Sequence, residues 1–96
     1  MNINFNKADE VLNLSLDGRL DTTTAPELDR FLAQELDGVK ELIIDCSNLV
    51  YLSSAGLRVL LVAHKKMSGK MKLTNVCELV MEVFELTGFA DILVIE

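Results

Sequence analysis

The hydroxyl pair in Tyr51-Leu52-Ser53-Ser54-Ala55-Gly56-Leu57-Arg58 is the sharpest chemical feature of the sequence. It stands where a loop is expected to enter a helix. One reading is an N-cap, in which a serine oxygen accepts a bond from an orphan helix N–H. The other is a regulated hydroxyl, because the dipole and free N–H groups of a helix N-terminus favour an anion. A phosphate there adds about −1.5 to −2 charges at pH 7. On an acidic surface that is enough to abolish binding of a partner without unfolding the chain. Gly56 suits the second reading, since a residue with no Cβ lets another backbone come close.

Other candidates carry less. Asp21 and Asp45 are expected near neighbouring strand ends, where two carboxylates could share acid and base roles, but nothing in the sequence sets their separation and turn or capping roles are the better reading of both. His64 falls on an apolar helical stripe and reads as a packing residue. One His and two Cys are too few for a closed zinc site of the usual kind. Cys46 and Cys77 lie in apolar stretches, as buried thiols of a reducing cytosol do, with a disulfide as the other reading. Neither G-x-x-x-x-G-K nor G-x-G-x-x-G occurs, and no Ser-His-Asp order is convincing. The expectation is therefore a protein with no catalytic residue, cofactor or metal.

These residues need elements to hold them. Leu12, Leu14 and Leu16 alternate with Asn13, Ser15 and Asp17, a half-buried strand. Residues 2–6 form its antiparallel hairpin partner, turned through Asn6-Lys7-Ala8-Asp9. Thr24 and Glu27 have capping-box spacing and Pro26 suits a first turn. A helix follows with Leu28, Phe31, Leu32 and Leu36 on one face, ended by Gly38. Leu42-Ile43-Ile44 reads as a central strand with Asp45 at its C-terminal end. A second helix carries Leu57, Leu60, Leu61, His64 and Met67 on one stripe and closes at Gly69. Met71 to Leu73 is a short strand. Asn75 and Glu78 cap a third helix bearing Leu79, Val80, Val83, Phe84 and Leu86, closed by Gly88, and Ile92 to Ile95 is the last strand. The order β-β-α-β-α-β-α-β predicts a small α/β fold: a mixed, mainly parallel sheet with an N-terminal antiparallel hairpin and helices packed on it. Partners should gather at the C-terminal strand ends, after residues 45 and 74, beside the Asp17–Thr24 connection.

Composition bounds the rest. The chain has 96 residues, half of them hydrophobic, and reads as one domain over 1–96. Nine cations against fifteen anions leave a net charge of −6. That excludes a nucleic-acid backbone as main partner, and an anionic membrane surface too. No basic leader follows Met1, and no segment approaches the roughly 20 apolar residues of a membrane helix. A cytoplasmic location is expected.

Three blocks give the chain a family likeness: Gly18-Arg19-Leu20-Asp21, Leu42-Ile43-Ile44-Asp45-Cys46-Ser47, and the segment Tyr51 to Arg58. With the tail Val80 to Phe89, it resembles a STAS domain of the bacterial anti-sigma factor antagonist family over nearly its whole length. The middle block is the specific one. The resemblance implies that an anti-sigma factor with serine kinase activity phosphorylates a serine at the start of the second helix, using ATP. The unphosphorylated antagonist binds that factor and releases a sigma factor, and a PP2C-type phosphatase reverses the modification. The family pattern, roughly Asp-Ser-Ser/Thr-Gly-Leu, puts the acceptor on Ser54. This chain has Ser53 where the family has Asp, which makes Ser53 an alternative acceptor, and Ala55 in place of the second hydroxyl. The implied partner surface comprises Asp21, Thr22, Thr23, Asp45, Ser53, Ser54, Gly56, Leu57 and Arg58. STAS domains also serve as constitutive accessory subunits of lipid-transport ABC complexes and in stressosome-like assemblies, the alternative function. The sequence is silent on oligomeric state.

Overall fold

The computed structural model describes residues 1–96. Alternating apolar residues make the first element a hairpin. β1 (Asn2–Ala8) and β2 (Val11–Leu20) pair antiparallel from Asn2↔Asp17 to Ala8↔Val11. The turn is Asp9-Glu10, with φ of 53° and 67°. A two-residue loop with both φ positive matches the twist of the strands it joins. The turn expected at 6–9 therefore lies later and is tighter, because Asn6, Lys7 and Ala8 stay in register with Asn13, Leu12 and Val11.

β2 runs four residues beyond Leu16 and pairs parallel with β3 (Glu41–Leu52), from Val11↔Glu41 to Leu20↔Leu52. The expected strand Leu42–Ile44 is only the start of β3. Asp45 lies inside β3 rather than at its end, although the pairing with β4 (Met71–Thr74) stops at Asp45↔Thr74. Register shifts at Ser15/Asp17 and Gly18/Arg19 put extra residues on β3, which increases its twist and bends it. β5 (Val94–Ile95) pairs parallel with β4. The strand order is β1-β2-β3-β4-β5, so the sheet is mixed and mainly parallel, as expected.

Burial alternates across the sheet. Leu12, Leu14, Leu16, Leu42, Ile44, Cys46, Met71 and Leu73 are buried, whereas Asn13 and Asp17 between them are exposed. The helices cover the first of these faces. α1 (Ala25–Glu35) contributes Leu28 and Leu32, α2 (Ser54–Lys66) contributes Leu57, Leu60 and Ala63, and α3 (Glu78–Thr87) contributes Val80 and Phe84. Each fully buried side chain of this size adds about 1.5–3 kcal/mol. None of the helices is long and apolar enough to cross a membrane.

Several helix details differ from expectation. The Thr24–Glu27 capping box does not form. Thr24 is already helical (φ −96°, ψ −21°), and its hydroxyl turns back to donate to the Arg19 carbonyl at 2.7 Å. In α2 the core stripe is Gly56, Leu57, Val59, Leu60 and Ala63, while Leu61 and His64 are only half-buried. The glycine explains the rotation: without a side chain at 56, that edge of the helix seats directly on the sheet. α3 is capped by Cys77, in extended conformation, and not by Asn75, whose backbone is left-handed at φ 56°. Leu79 and Leu86 face solvent at 57% and 79% exposure, because α3 buries only the narrow stripe of Val80 and Phe84. A single 3-10 turn, Phe89–Asp91, shortens the last strand: Ile92 is half-exposed and only Val94–Ile95 pair. Both cysteines are free thiols.

Candidate functional site

Two chain segments meet at the C-terminal ends of β2 and β3. The first is Asp21-Thr22-Thr23-Thr24, between β2 and α1. Asp21 Oδ1 accepts the backbone N–H groups of Thr23 at 3.0 Å and Thr24 at 3.2 Å. The Asp21 backbone N–H bonds Thr24 Oγ1 at 2.9 Å. Arg19 Nε lies 3.5 Å from Asp21 Oδ2, and its guanidinium sits 4.0 Å over the Tyr51 ring. The Thr24 N–H foremost, with Thr23, the Thr24 hydroxyl and Arg19 adding, holds the Asp21 carboxyl below its ordinary value. The loop is thus tied into one turn, with Thr22 and Thr23 exposed.

The second segment is the entrance to α2. Ser53 donates its backbone N–H to the Leu20 carbonyl at 3.0 Å and accepts the Leu57 N–H at 3.0 Å. It holds the N-cap position in extended conformation (φ −105°, ψ 176°), but its hydroxyl makes no cap bond. Ser53 Oγ is buried and without a partner. Ser54, the first helical residue, is exposed. The amides from Ser54 to Gly56 precede the first helical bond and leave N–H groups at this end. The two serines therefore have opposite surroundings.

Arg58 is exposed one turn along α2. Gly56 and Leu57 point inward. A Cβ on Gly56 would lie 2.7 Å from both Leu20 Cγ and Leu52 Cδ1, so the close approach it permits is to this chain's own sheet. Leu57 is 5% exposed and belongs to the core.

Asp45 sits apart. It is opposite Ser15 in β2 and Thr74 in β4, five strand positions before Leu20. That is roughly 17 Å or more along the strand from Asp21, so the two carboxylates do not converge. Asp45 Oδ1 accepts from the Ser47 N–H at 3.0 Å and from the Asn75 side-chain amide at 3.1 Å. The Ser47 N–H foremost, then Asn75, lowers its carboxyl from the ordinary value. It pins the connection after β4.

The sequence reading misses a cleft of about 310 Å³ between α1 and α2, bordered by Thr22, Pro26, Asp29, Ala55, Arg58 and Val62. Small residues at the facing helix starts, Ala25 and Ala55, are the signal that could have found it. His64, half-buried with Nδ1 unpartnered, is remote from the serines at the other end of α2.

The comparisons with known proteins agree with one another. The model of the STAS domain matches residues 2–96. The Bordetella bronchiseptica protein BtrV, named as a candidate anti-sigma factor antagonist, is 36% identical over 96% of this chain and 83% of its own length. The anti-sigma-B factor antagonist of Staphylococcus aureus is 27% identical, over 97% of this chain and 90% of its own. The crystal structure of an anti-sigma factor antagonist from Mycobacterium paratuberculosis superimposes with a TM-score of 0.85 at 25% identity, covering 98% of this chain and 83% of that one. The family match spans nearly the whole chain, and the mixed sheet with its antiparallel N-terminal hairpin and three helices superimposes on a solved antagonist over almost its full length: the chain belongs to the STAS domain family.

Proposed function

We infer that the chain is an anti-sigma factor antagonist, switched by phosphorylation of Ser54. One observation carries the assignment of the acceptor: of two adjacent serines, only Ser54 presents an exposed side chain, while Ser53 Oγ is buried. A kinase can reach the first and not the second.

The chemistry asked of this chain is small. The partner, an anti-sigma factor with serine kinase activity, holds ATP. Ser54 Oγ forms a bond to the γ-phosphorus, the bond from that phosphorus to the β-phosphate oxygen breaks, and ADP leaves. The hydroxyl proton passes to a base on the partner or to water. This chain supplies the acceptor and no catalytic group. The product adds about −1.5 to −2 charges at the end of α2 where the helix dipole tolerates them. The fold survives while the docking surface gains negative charge. Hydrolysis by a PP2C-type phosphatase restores the hydroxyl. The exposed Thr22 and Thr23 lie on the loop just after Leu20, the β2 residue whose carbonyl holds Ser53, so both segments form one surface for the anti-sigma factor. Antagonist and partner act in the cytoplasm.

The test is intact-mass and peptide mass spectrometry after incubation with the organism's kinase-type anti-sigma factor and ATP. Wild type and Ser53→Ala should each gain one phosphate on Ser54, and Ser54→Ala none. In calorimetry Ser54→Ala should bind the factor and Ser54→Asp should bind at least tenfold more weakly. Equal affinity of the two Ser54 variants overturns the switch.

A further inference from the structure

α2 is charged against the trend of the molecule. The chain has a net charge of −6, yet Ser54–Lys66 contains no acidic residue and carries Arg58, Lys65 and Lys66, all exposed. The chain's ion pairs use Lys7, Arg19, Lys40 and Lys72. The three cations of α2 are left without a carboxylate of their own. Ser54, Arg58, Val62 and Lys66 recur every four residues, so they form one ridge along the helix surface. A solvated surface helix in an acidic chain gains from acidic neighbours at i±4, and this one has none.

The cleft against α1 runs beside that ridge. Its walls are mostly apolar, with Ala25, Pro26, Ala55, Val59 and Val62, and Val62 remains 38% exposed. At about 310 Å³ it is at the small end for a ligand site, and suits one or two aliphatic side chains better than a cofactor. Asp29 borders it on the α1 side, opposite the cationic ridge of α2.

We propose that the ridge and cleft dock an acidic amphipathic helix of the partner, with one aliphatic side chain in the cleft and a carboxylate on Arg58. This is helix-in-groove recognition with charge complementarity fixing register. It deepens the reading of the chain as a Ser54-switched antagonist and explains how the switch would act. Arg58 lies at i+4 from Ser54, a spacing that brings Cβ atoms to about 5–6 Å. A phosphoryl group on Ser54 competes with the partner's carboxylate for the same guanidinium, whose fork suits phosphate as well.

The experiment titrates the purified kinase-type anti-sigma factor of the same organism with the full chain by calorimetry, at low and moderate salt. Variants are Arg58→Gln, Val62→Asp and Ser54→Asp, with Lys70→Gln as an exposed cation outside α2. Circular dichroism and the urea midpoint check each fold, and Val62→Ser replaces Val62→Asp if the latter unfolds. Arg58→Gln and the Val62 variant should each weaken binding at least tenfold, Lys70→Gln less than twofold, and Arg58→Gln should flatten the salt dependence. Arg58 and Val62 variants within twofold of wild type overturn the docking surface. If Ser54→Asp still abolishes binding in that case, the switch stands without it. If Arg58→Gln weakens binding and Ser54→Asp does not, the docking surface stands and the switch falls. No binding of the factor by wild type overturns both.

Discussion

The backbone N–H of Ser53 bonds the carbonyl oxygen of Leu20 at 3.0 Å, joining the entrance of α2 to the end of β2. Three residues on, Gly56 presses the same helix against the Leu20 and Leu52 side chains. One hydrogen bond and one missing side chain thus set the height of Ser54 above the sheet.

Gly56→Ala tests that seating. In an exposed helix the change would gain about 1 kcal/mol from propensity. Here the new methyl meets two leucines at 2.7 Å, one of them at Cγ rather than at a mobile tip. Overpacking of this kind costs about 1–3 kcal/mol and outweighs the propensity. The variant should be less stable than wild type, by up to about 2 kcal/mol in urea unfolding. A gain in stability would mean that α2 can lift off the sheet without loss.

The β1–β2 turn stores strain in Glu10. A left-handed residue with a Cβ costs about 1–2 kcal/mol, and Glu10 has φ 67°. Its carboxylate pairs with Lys40 at 3.3 Å, but both side chains are more than half exposed, and such pairs contribute about 0–1 kcal/mol. Glu10→Gly loses that pair and some chain entropy, relieves the strain, and creates the Asp-Gly sequence this turn prefers. The expected net gain is about 0.5 kcal/mol, read as a Tm raised by about 2–4 °C. Glu10→Gln removes the charge and keeps the strain, so it should give no gain.

The two thiols should separate under alkaline conditions. Burial foremost, with the charge of Asp45 adding, pushes the Cys46 thiol up to about 12. An unfolded cysteine ionises near about 8.5. Between those values the native state keeps a proton that the unfolded state has lost, so stability falls as pH rises, by up to about 1.4 kcal/mol per unit. Cys46→Ala should remove that part of the slope when urea midpoints are compared from pH 7 to 10. A thiol reagent at pH 8 should label the half-buried Cys77 first, and Cys46 only on unfolding.

How much of this was legible beforehand follows from the range of each interaction. Leu12, Leu14 and Leu16, the periodic apolar residues of α1 and the Gly88 stop are local signals, and they place the elements and the mixed sheet correctly. The misplaced features depend on partners outside the short motif that suggested them. Thr24 has the spacing of a capping box, but its hydroxyl is claimed by the Arg19 carbonyl across the turn. Asn75 looks like a cap, but its amide reaches Asp45, thirty residues away. The extension of β3 to Leu52 needs β2 alongside, which no window of residues contains. At the site, the serine pair is visible in sequence, but which hydroxyl is buried is decided by how Gly56 seats the helix. The cleft beside Arg58 exists only once α1 and α2 are adjacent.

Acid should loosen the Asp21 turn before it unfolds the sheet. The native carboxyl is held below its ordinary value of 3.8, chiefly by the Thr24 N–H. A lowered native pKa means that the unfolded state takes up the proton first as pH falls. The contribution is therefore present above about pH 4 and is lost as pH drops through the lower native value. Because the Arg19–Asp21 pair lies at the surface, with the Arg19 side chain more than half exposed, salt should weaken the charged part of the effect. In an NMR titration the Thr23 and Thr24 amide shifts should move together with a midpoint below 3.8. Asp21→Asn keeps an oxygen to accept both amides and should hold the turn while removing that titration. Asp21→Ala removes the acceptor and should shift both amides toward solvent values at neutral pH. If Asp21→Ala leaves them in place, the backbone alone holds the loop, and Asp21 is free to serve the partner instead.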